Sequence, residues 1–463
     1  MMRKNYNHVY FVGIGGIGMS GIAEVLLNLG YQVSGSDLSS SEITRHLKTL
    51  GAKIYQGHRA SNLGNCDVVV VSSAVSSTNP EVQKARKLKI PIIPRAEMLA
   101  ELMRLKYGIA VAGTHGKTTT TSILGSLLSY CKVDPTVVIG GRLNRWGTNA
   151  KLGQGDIMVA EADESDGSFN LLPPTLAIVT NIDNDHLDHY KNFSEIKKAF
   201  LTFLNRIPFY GAGIVCGDDP HVRSILKDIK KKVITYGLGK RCDVQAKNIQ
   251  FQGVESSFDV VAHGKKLGNF KIKAPGLHNV RNALSCIIAA LKLNLPVSKI
   301  KQGLKQYTGV QRRFQIRGQH KGFTVLDDYG HHPTEIKATL ETCKKVWPKR
   351  RLFVAFQPHR YSRTRDCFKQ FTTCFEKADF LLLTDIYPAG EKAIPGISGE
   401  KLFHAIHQKK KNSVFCSNRK IISHEIEKHV RPGDVVLTLG AGDIWKSGEE
   451  FLQTLKKGPS QRV

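Results

Sequence analysis

The chain has 463 residues, of which 41% are hydrophobic, and it carries a formal net charge of +28. This length exceeds what one hydrophobic core serves, so two to four domains are expected, and no apolar run approaches the ~20 residues of a membrane span. The nine cysteines are scattered and include no Cys-x-x-Cys pair, which argues against a disulfide framework or a zinc site and favours reduced thiols in a cytoplasm.

The lysines and arginines behind this charge are dispersed, with local clusters at Lys230–Lys232 and Lys409–Lys411. A net charge this high raises the question of nucleic-acid binding. No basic stripe with interleaved aromatic residues accompanies it, so we expect a solvated surface and no nucleic-acid partner. The electrostatic field of these positive charges would also favour the binding of polyanionic small molecules.

The first block of the chain alternates strand-like and helical runs, which is the pattern of a parallel sheet. The predicted strands are Val9–Val12, Gln32–Ser34, Lys53–Tyr55, Val68–Val71 and Ile90–Ile93, and the predicted helices are Met19–Leu29, Glu42–Leu50 and Pro80–Leu88. A Gly-x-Gly-x-x-Gly motif at Gly13–Gly18 follows the first strand, and Asp37 ends the second. This spacing predicts a diphosphate at a helix N-terminus with an acid near a ribose, although Asp37 also suits a turn and the motif does not identify the nucleotide.

The second block opens with a phosphate loop between a predicted strand, Tyr107–Ala112, and a predicted helix, Lys117–Tyr130. Unpaired N–H groups and the helix dipole bind phosphate at such a turn. We expect Lys117, on a solvent-facing turn, to contact the β/γ-phosphates and the Thr118 hydroxyl to bind Mg²⁺. Val111 stands where a Walker A motif has its first glycine, so this loop is not a full Walker A motif. The shorter Gly113–Gly116 bracket restricts the protein families to which the chain could belong.

Two polar residues follow predicted buried strands of this block. Glu161 follows Ile157–Ala160, and His186 comes after Leu176–Thr180. A carboxylate at a strand end near a phosphate loop is where Mg²⁺ is usually held, and the spacing around His186 is not that of a zinc motif. The remaining strands predicted in this block are Val137–Ile139 and Gly213–Cys216.

The third block begins after a predicted helix that runs from Asn279 to Leu293, on which Asn279 and Asn282 either cap the helix or bind a purine and phosphates. Its predicted strands are Phe323–Leu326, Leu352–Phe356, Phe380–Leu383, Ser413–Phe415 and Val435–Leu439. Dense polar segments follow the first two of these strands, at Asp327–Pro333 and Gln357–Thr364. Open α/β sheets carry their ligand loops at such positions, and arginines there suit carboxylate or phosphate binding.

Together these motifs resemble the Mur ligases over nearly the whole chain. The matching segments are Phe11–Ala23, the Gly-Thr-His-Gly-Lys-Thr loop, Glu161–Asp166, Asp327–Pro333 and Gln357–Thr364. The resemblance implies an α/β protein of three domains. They are a Rossmann-like UDP-sugar-binding domain (1–106), a central P-loop-type ATPase domain (107–318) and a C-terminal Rossmann-like domain (319–463).

The resemblance also implies roles for individual residues. ATP would be bound by Gly113, Thr114, His115, Gly116, Lys117, Thr118, Thr119, Asn279, Asn282, Arg313 and Asp328. Mg²⁺ would be held by Thr118, Glu161 and His186. The UDP-sugar and the amino acid would contact Gly15, Gly16, Gly18, Asp37, Ser165, His331, Arg360 and Arg363. The catalytic residues would be Lys117, Glu161, His186, Arg313, Asp328 and His331.

The implied reaction is the ATP- and Mg²⁺-dependent joining of L-alanine to the lactoyl carboxylate of UDP-N-acetylmuramate through an acyl phosphate. It would be a cytoplasmic step of peptidoglycan synthesis, carried out off the membrane by a monomer or weak homodimer. The alternative within the family is a recycling ligase that attaches a murein tripeptide, and the alternatives outside it are an NAD-dependent dehydrogenase and a nucleic-acid-binding NTPase. Sibling ligases carry a carbamylated lysine that Phe200 would replace here, so we expect no such modification.

Overall fold

The computed structural model describes residues 6–72, 74–139, 150–185 and 189–457. They form two compact units. The first contains Met1–Lys247, Asp259–Phe270 and Arg281–Val310, and the second contains Asn248–Phe258, Lys271–Val280 and Gln311–Val463.

The first sheet of the first unit has five parallel strands in the order β3-β2-β1-β4-β5. The elements are β1 (His8–Val12), α1 (Ile17–Asn28), β2 (Gln32–Asp37), α2 (Glu42–Thr49), β3 (Lys53–Gln56), β4 (Val68–Val71), α3 (Pro80–Lys87), β5 (Ile92–Pro94) and α4 (Arg95–Arg104). Alternate residues of a strand face opposite sides of the sheet, and β1 shows this directly. Val9 and Phe11 enter one hydrophobic cluster, whereas Tyr10 and Val12 enter another.

The second sheet has ten strands in the order β15-β14-β13-β12-β11-β10-β6-β9-β7-β8. Its strands are β6 (Tyr107–Ala112), β7 (Thr136–Val138), β8 (Ala150–Lys151), β9 (Ile157–Glu161), β10 (Leu176–Val179), β11 (Ala212–Cys216), β12 (Val233–Gly237), β13 (Val244–Gln252), β14 (Glu255–Ala262) and β15 (Lys265–Ile272). The helices are α5 (Lys117–Tyr130), α6 (Phe193–Asn205), α7 (Pro220–Ile225), α8 (Leu277–Lys292) and α9 (Val297–Lys305). The central strand β6 pairs in parallel with β10 and β9, so the loops that follow these three strands share one edge of the sheet.

The third sheet lies in the second unit and has the order β16-β17-β21-β18-β19-β20. Its strands are β16 (Gln315–His320), β17 (Phe323–Asp328), β18 (Leu352–Phe356), β19 (Phe380–Thr384), β20 (Ser413–Cys416) and β21 (Val435–Leu439). The helices are α10 (Pro333–Val346), α11 (Tyr361–Asp366), α12 (Phe368–Phe371), α13 (Gly399–His407), α14 (Ile422–His429) and α15 (Trp445–Lys457). Strand β16 is antiparallel to β17, and the other pairings are parallel.

Most predicted strands and helices are confirmed, and five of them match residue for residue: β4, β6, α5, β18 and β21. Several elements were not predicted individually, among them α4, α9, β12 and β16. Strand β16 begins at Gln315, ahead of the predicted boundary at residue 319, and belongs to the third sheet. The strand predicted at Ile90–Ile93 is shifted and runs over Ile92–Pro94.

The nine cysteines all lie in the described part of the chain, and all are buried and free of disulfide bonds. Within that same part, no helix combines the length and apolar character that crossing a bilayer requires.

Candidate active site

The phosphate loop joins β6 to α5 through two glycines in left-handed backbone conformations. Gly113 has φ 128° and Gly116 has φ 85°. A Cβ on Gly113 would lie 2.0 Å from the Thr180 hydroxyl oxygen, and one on Gly116 would lie 3.0 Å from Asn282 Oδ1. Both positions therefore require glycine for conformation and for space.

The segment after β10 holds this loop in place. The His115 N–H donates to Asn181 Oδ1 at 2.9 Å, and His115 Nε2 lies 2.9 Å from Asp183 Oδ2. The Thr114 hydroxyl accepts from the Asp183 N–H at 2.9 Å. These hydrogen bonds restrict the loop to one conformation, which lowers the entropic cost of binding phosphate.

The side chain of Lys117 is only 13% exposed, so the solvent-facing position expected from the sequence is wrong. Its Nζ donates to Glu164 Oε1 at 2.8 Å and to the backbone oxygens of Gly113 and Thr114 at 2.9 and 3.3 Å. Burial opposes the charged form, but Glu164, Asp163 and Glu161 outweigh it and raise the pKa of Lys117 above its ordinary value. The lysine therefore keeps its charge at any physiological pH.

Thr118 and Glu161 lie together at the start of α5. The Thr118 hydroxyl is 3.0 Å from both carboxylate oxygens of Glu161, and Thr118 is buried. A hydroxyl and a carboxylate are hard oxygen donors of the kind that Mg²⁺ prefers, so this pair fits the predicted metal site. His186, the third predicted ligand, lies outside the described residues.

The acidic segment after β9 faces the same loop. Burial raises the pKa of Asp163, but Lys117, the Ser165 N–H and Arg95 together lower it below its ordinary value. The Ser165 N–H donates to Asp163 Oδ1 at 3.1 Å. The predicted role of Ser165 toward substrate stays a prediction.

Helix α8 contributes two asparagines. Asn279 is buried and donates from Nδ2 to the Pro275 carbonyl at 2.8 Å. This bond is not an N-cap, because a capping side chain accepts from helix N–H groups, and the role of Asn279 toward ATP stays a prediction. Asn282 is also buried and lies beside Gly116, so in the first unit the phosphate loop has an amide next to it.

The glycine loop of the first sheet is closed by β2. The N–H groups of Gly13 and Ile14 donate to the Ser36 carbonyl at 2.8 and 3.0 Å, and the Gly15 N–H donates to Asp37 Oδ2 at 2.8 Å. Asp37 thus shapes the loop that Gly15, Gly16 and Gly18 form. A contact between Asp37 and a ribose remains a prediction.

In the second unit, Asp328 ends β17 and accepts N–H groups from Phe314 at 2.7 Å and Gly330 at 2.8 Å. Burial raises its pKa to about 6, while Arg313 and the two N–H groups act in the opposite direction. Arg313 Nη1 lies 3.6 Å from Glu335 Oε1. The carboxylate is therefore fixed in position but only partly ionised in mildly acidic solution.

His331, Arg360 and Arg363 lie near one another at the carboxyl edge of the third sheet. His331 Nδ1 is 3.0 Å from the Tyr329 carbonyl, and its ring centroid is 5.6 Å from that of His359. Arg360 adopts φ 70°, which is unusual for a residue with a side chain and occurs most often at functional sites. Burial, Arg363 and Arg360 lower the pKa of His359 to about 4, so this imidazole is neutral at physiological pH.

Family models match three successive parts of the chain. They describe the Mur ligase family catalytic domain (residues 8–107), the Mur ligase middle domain (111–290) and the Mur ligase glutamate ligase domain (312–442). The chain belongs to the Mur ligase family. This Mur ligase has the three-domain α/β architecture that the sequence predicted, and it is an ATP-dependent ligase.

Several relatives match this Mur ligase along almost its whole length. The UDP-N-acetylmuramate–L-alanine ligase of Pelobacter propionicus is 54% identical over 458 residues, which cover 98% of this chain and 100% of the relative. The crystal structure of a UDP-N-acetylmuramate–alanine ligase from Thermotoga maritima is 30% identical with a TM-score of 0.82, and 97% and 99% of the two chains are covered. A murein peptide ligase from Psychrobacter arcticus is 25% identical with a TM-score of 0.70, and the match covers 98% and 99%.

Four residues of the site were not assigned from the sequence of this Mur ligase: Glu164, Asn181, Asp183 and Arg95. The first three lie in the two segments that supplied Glu161 and His186, so their position after parallel strands was a usable signal. Arg95 is the first residue of the unpredicted helix α4, and a Cβ on Gly18 would lie 3.1 Å from its Nη1.

Proposed function

We propose that this Mur ligase joins L-alanine to the lactoyl carboxylate of UDP-N-acetylmuramate, with ATP converted to ADP and phosphate. The observation that carries the proposal is the arrangement at the start of α5, where Lys117, paired with buried Glu164, and the Thr118–Glu161 pair adjoin the phosphate loop. The names of the Pelobacter and Thermotoga relatives support alanine as the amino acid. The reaction would belong to cytoplasmic peptidoglycan precursor synthesis.

The chemistry follows from the charges of these residues. A carboxylate is a poor acyl donor, and phosphorylation by ATP turns it into an acyl phosphate with a good leaving group. Lys117 neutralises charge on the transferred phosphoryl group. Mg²⁺ bound at Thr118, Glu161 and His186 would supply further charge neutralisation. Attack by the alanine amine then expels phosphate.

Residues of the second unit would bind the groups that react. Arg360 and Arg363 suit carboxylates because a guanidinium forms two parallel hydrogen bonds to one. His331 would orient the substrate, and Asp328 with Arg313 would contact the nucleotide. We further propose the domain boundaries given above, a requirement for Mg²⁺, a monomer or weak homodimer, and no membrane or nucleic-acid partner.

A coupled assay of phosphate release tests the proposal. The enzyme is incubated with ATP, Mg²⁺ and UDP-N-acetylmuramate, and L-alanine, L-serine, glycine or the murein tripeptide is added to separate samples. We expect release that depends on L-alanine and a product whose mass equals the sugar nucleotide plus one alanyl residue. Turnover with the tripeptide alone would instead identify the recycling ligase, and no release in any sample would refute both.

A further inference from the structure

Arg95 is a half-buried arginine that packs on the glycine loop of the first sheet. A Cβ built on Gly18 would lie 3.1 Å from Arg95 Nη1 and 3.4 Å from Cζ. The guanidinium therefore lies against the backbone at the start of α1, in the space that any other residue at position 18 would fill.

No side chain or carbonyl within the described ranges accepts a hydrogen bond from this guanidinium, and no carboxylate there forms an ion pair with it. A guanidinium carries five N–H donors, and burying part of it without acceptors is unfavourable. An anionic ligand on the glycine loop would supply those acceptors.

The position of Arg95 on its own helix is also unfavourable for stability. It is the first residue of α4, whose N-cap, Pro94, makes no side-chain capping bond. A cation at a helix N-terminus opposes the macrodipole and destabilises the helix. A residue that destabilises its own helix, with no compensating contact elsewhere in the protein, is expected mainly at functional sites.

The surroundings indicate which anion it meets. Strands β1 and β5 are parallel members of one sheet, so the glycine loop and Arg95 follow strand ends at the same edge. Arg95 also acts electrostatically on Asp163, which adjoins Lys117. A sugar nucleotide with its diphosphate on the glycine loop and its carboxylate directed toward Lys117 would pass this guanidinium.

We propose that Arg95 binds the diphosphate of the sugar nucleotide and is a specificity-determining residue for it. This inference rests on the proposed function, because it assumes a UDP-sugar on the glycine loop. A guanidinium pairs with phosphate oxygens in a forked geometry that an ammonium group does not reproduce.

Isothermal titration calorimetry of the full chain tests this with UDP-N-acetylmuramate, UDP and uridine. Arg95→Met should weaken binding of UDP-N-acetylmuramate and of UDP by at least about 30-fold, leave uridine binding unchanged and retain or raise the melting temperature. The affinities of Arg95→Lys for UDP-N-acetylmuramate and for UDP should lie between those of the wild type and those of Arg95→Met. In turnover, KM for the sugar nucleotide should rise while KM for ATP and kcat at saturation stay near wild type.

Arg104→Met is the matched control, because Arg104 lies at the other end of α4 and pairs with Glu101 at the surface. It removes the same charge from the same helix and should leave all three affinities unchanged. Unaltered affinity of Arg95→Met for UDP would overturn the inference, even if binding of the complete sugar nucleotide were weakened through its carboxylate. Failure of the wild type to bind UDP-N-acetylmuramate would refute the proposed function instead.

Discussion

Lys117→Met should inactivate the enzyme and also destabilise it, because the lysine neutralises a buried carboxylate. Glu164 is only 1% exposed, and its Oε1 lies 2.8 Å from Lys117 Nζ. Asp163 and Glu161 also act on this lysine. Removal of Lys117 therefore leaves three neighbouring carboxylates without their shared cation.

The size of both effects follows from general energetics. Loss of one partner of a buried ion pair costs about 3–5 kcal/mol. For a domain of roughly 200 residues, that corresponds to a fall in melting temperature of about 6–20 °C. Loss of the charge that stabilises the transferred phosphoryl group should slow turnover roughly a thousandfold or more.

A double-mutant cycle separates these effects. Thermal unfolding and phosphate release are measured for Lys117→Met, Glu164→Gln and the double variant. The double variant should recover most of the melting temperature lost by Lys117→Met, because the unpaired charge is gone, but it should remain inactive. Lys106→Met is the matched control, since Lys106 is a half-buried lysine that donates to the carbonyls of Gly153 and Gly155. The reasoning is refuted if Lys117→Met melts like the wild type, or if the double variant melts no higher than Lys117→Met.

Three further predictions concern pH, metal and modification. Asp328 binds a proton up to pH about 6 in the native state but only to about 3.8 when unfolded, so the free energy of unfolding should fall by about 2–3 kcal/mol as pH rises through that window. Asp328→Asn should flatten this slope in urea titrations from pH 4 to 7, and an unchanged slope would contradict the assignment. Glu161→Gln should raise the Mg²⁺ concentration needed for half-maximal activity at least severalfold, whereas a titration that matches wild type would exclude Glu161 from the metal site. Phe200 is fully buried and packs on Phe169, so bicarbonate added at constant pH to CO₂-stripped enzyme should not raise activity, and a reproducible rescue would place a carbamylated lysine on α6.

The sequence predicts those elements whose signals are local. Strands β6, β18 and β21 are apolar runs with clear ends, and α5 begins at a glycine turn followed by helix-compatible residues. Helix α4 was missed because its N-cap is Pro94. A Ser, Thr, Asp or Asn at the N-cap is the usual sequence signal for a helix start, and α4 lacks it. Strand β16 was missed because it is a polar edge strand whose only defining feature is its pairing with β17.

The candidate active site could likewise be predicted from the sequence only where its signals are local. The phosphate loop and the strand-end acids could be identified from spacing, because each is a short segment with a fixed relation to one strand. The partner of Lys117 is 47 positions away, and that of the His115 N–H is 66 positions away. Such pairs depend on how strands are ordered in the sheet, and a single sequence does not encode that order in any local pattern.

Part of the net charge of +28 has a structural explanation at the amino edge of the third sheet. A cleft of about 740 Å³ lies there, lined mainly by basic residues: Lys344, Lys349, Arg350, Arg351, Lys428, His429 and Arg431. Lys344 occupies the last turn of α10, and Lys428 and His429 occupy the last turn of α14. Cations at helix C-termini oppose the negative end of the macrodipole and stabilise each helix by about 0.3–1 kcal/mol. This part of the net charge therefore has a local role in stabilising helix ends, and the absence of a nucleic-acid partner stays a prediction.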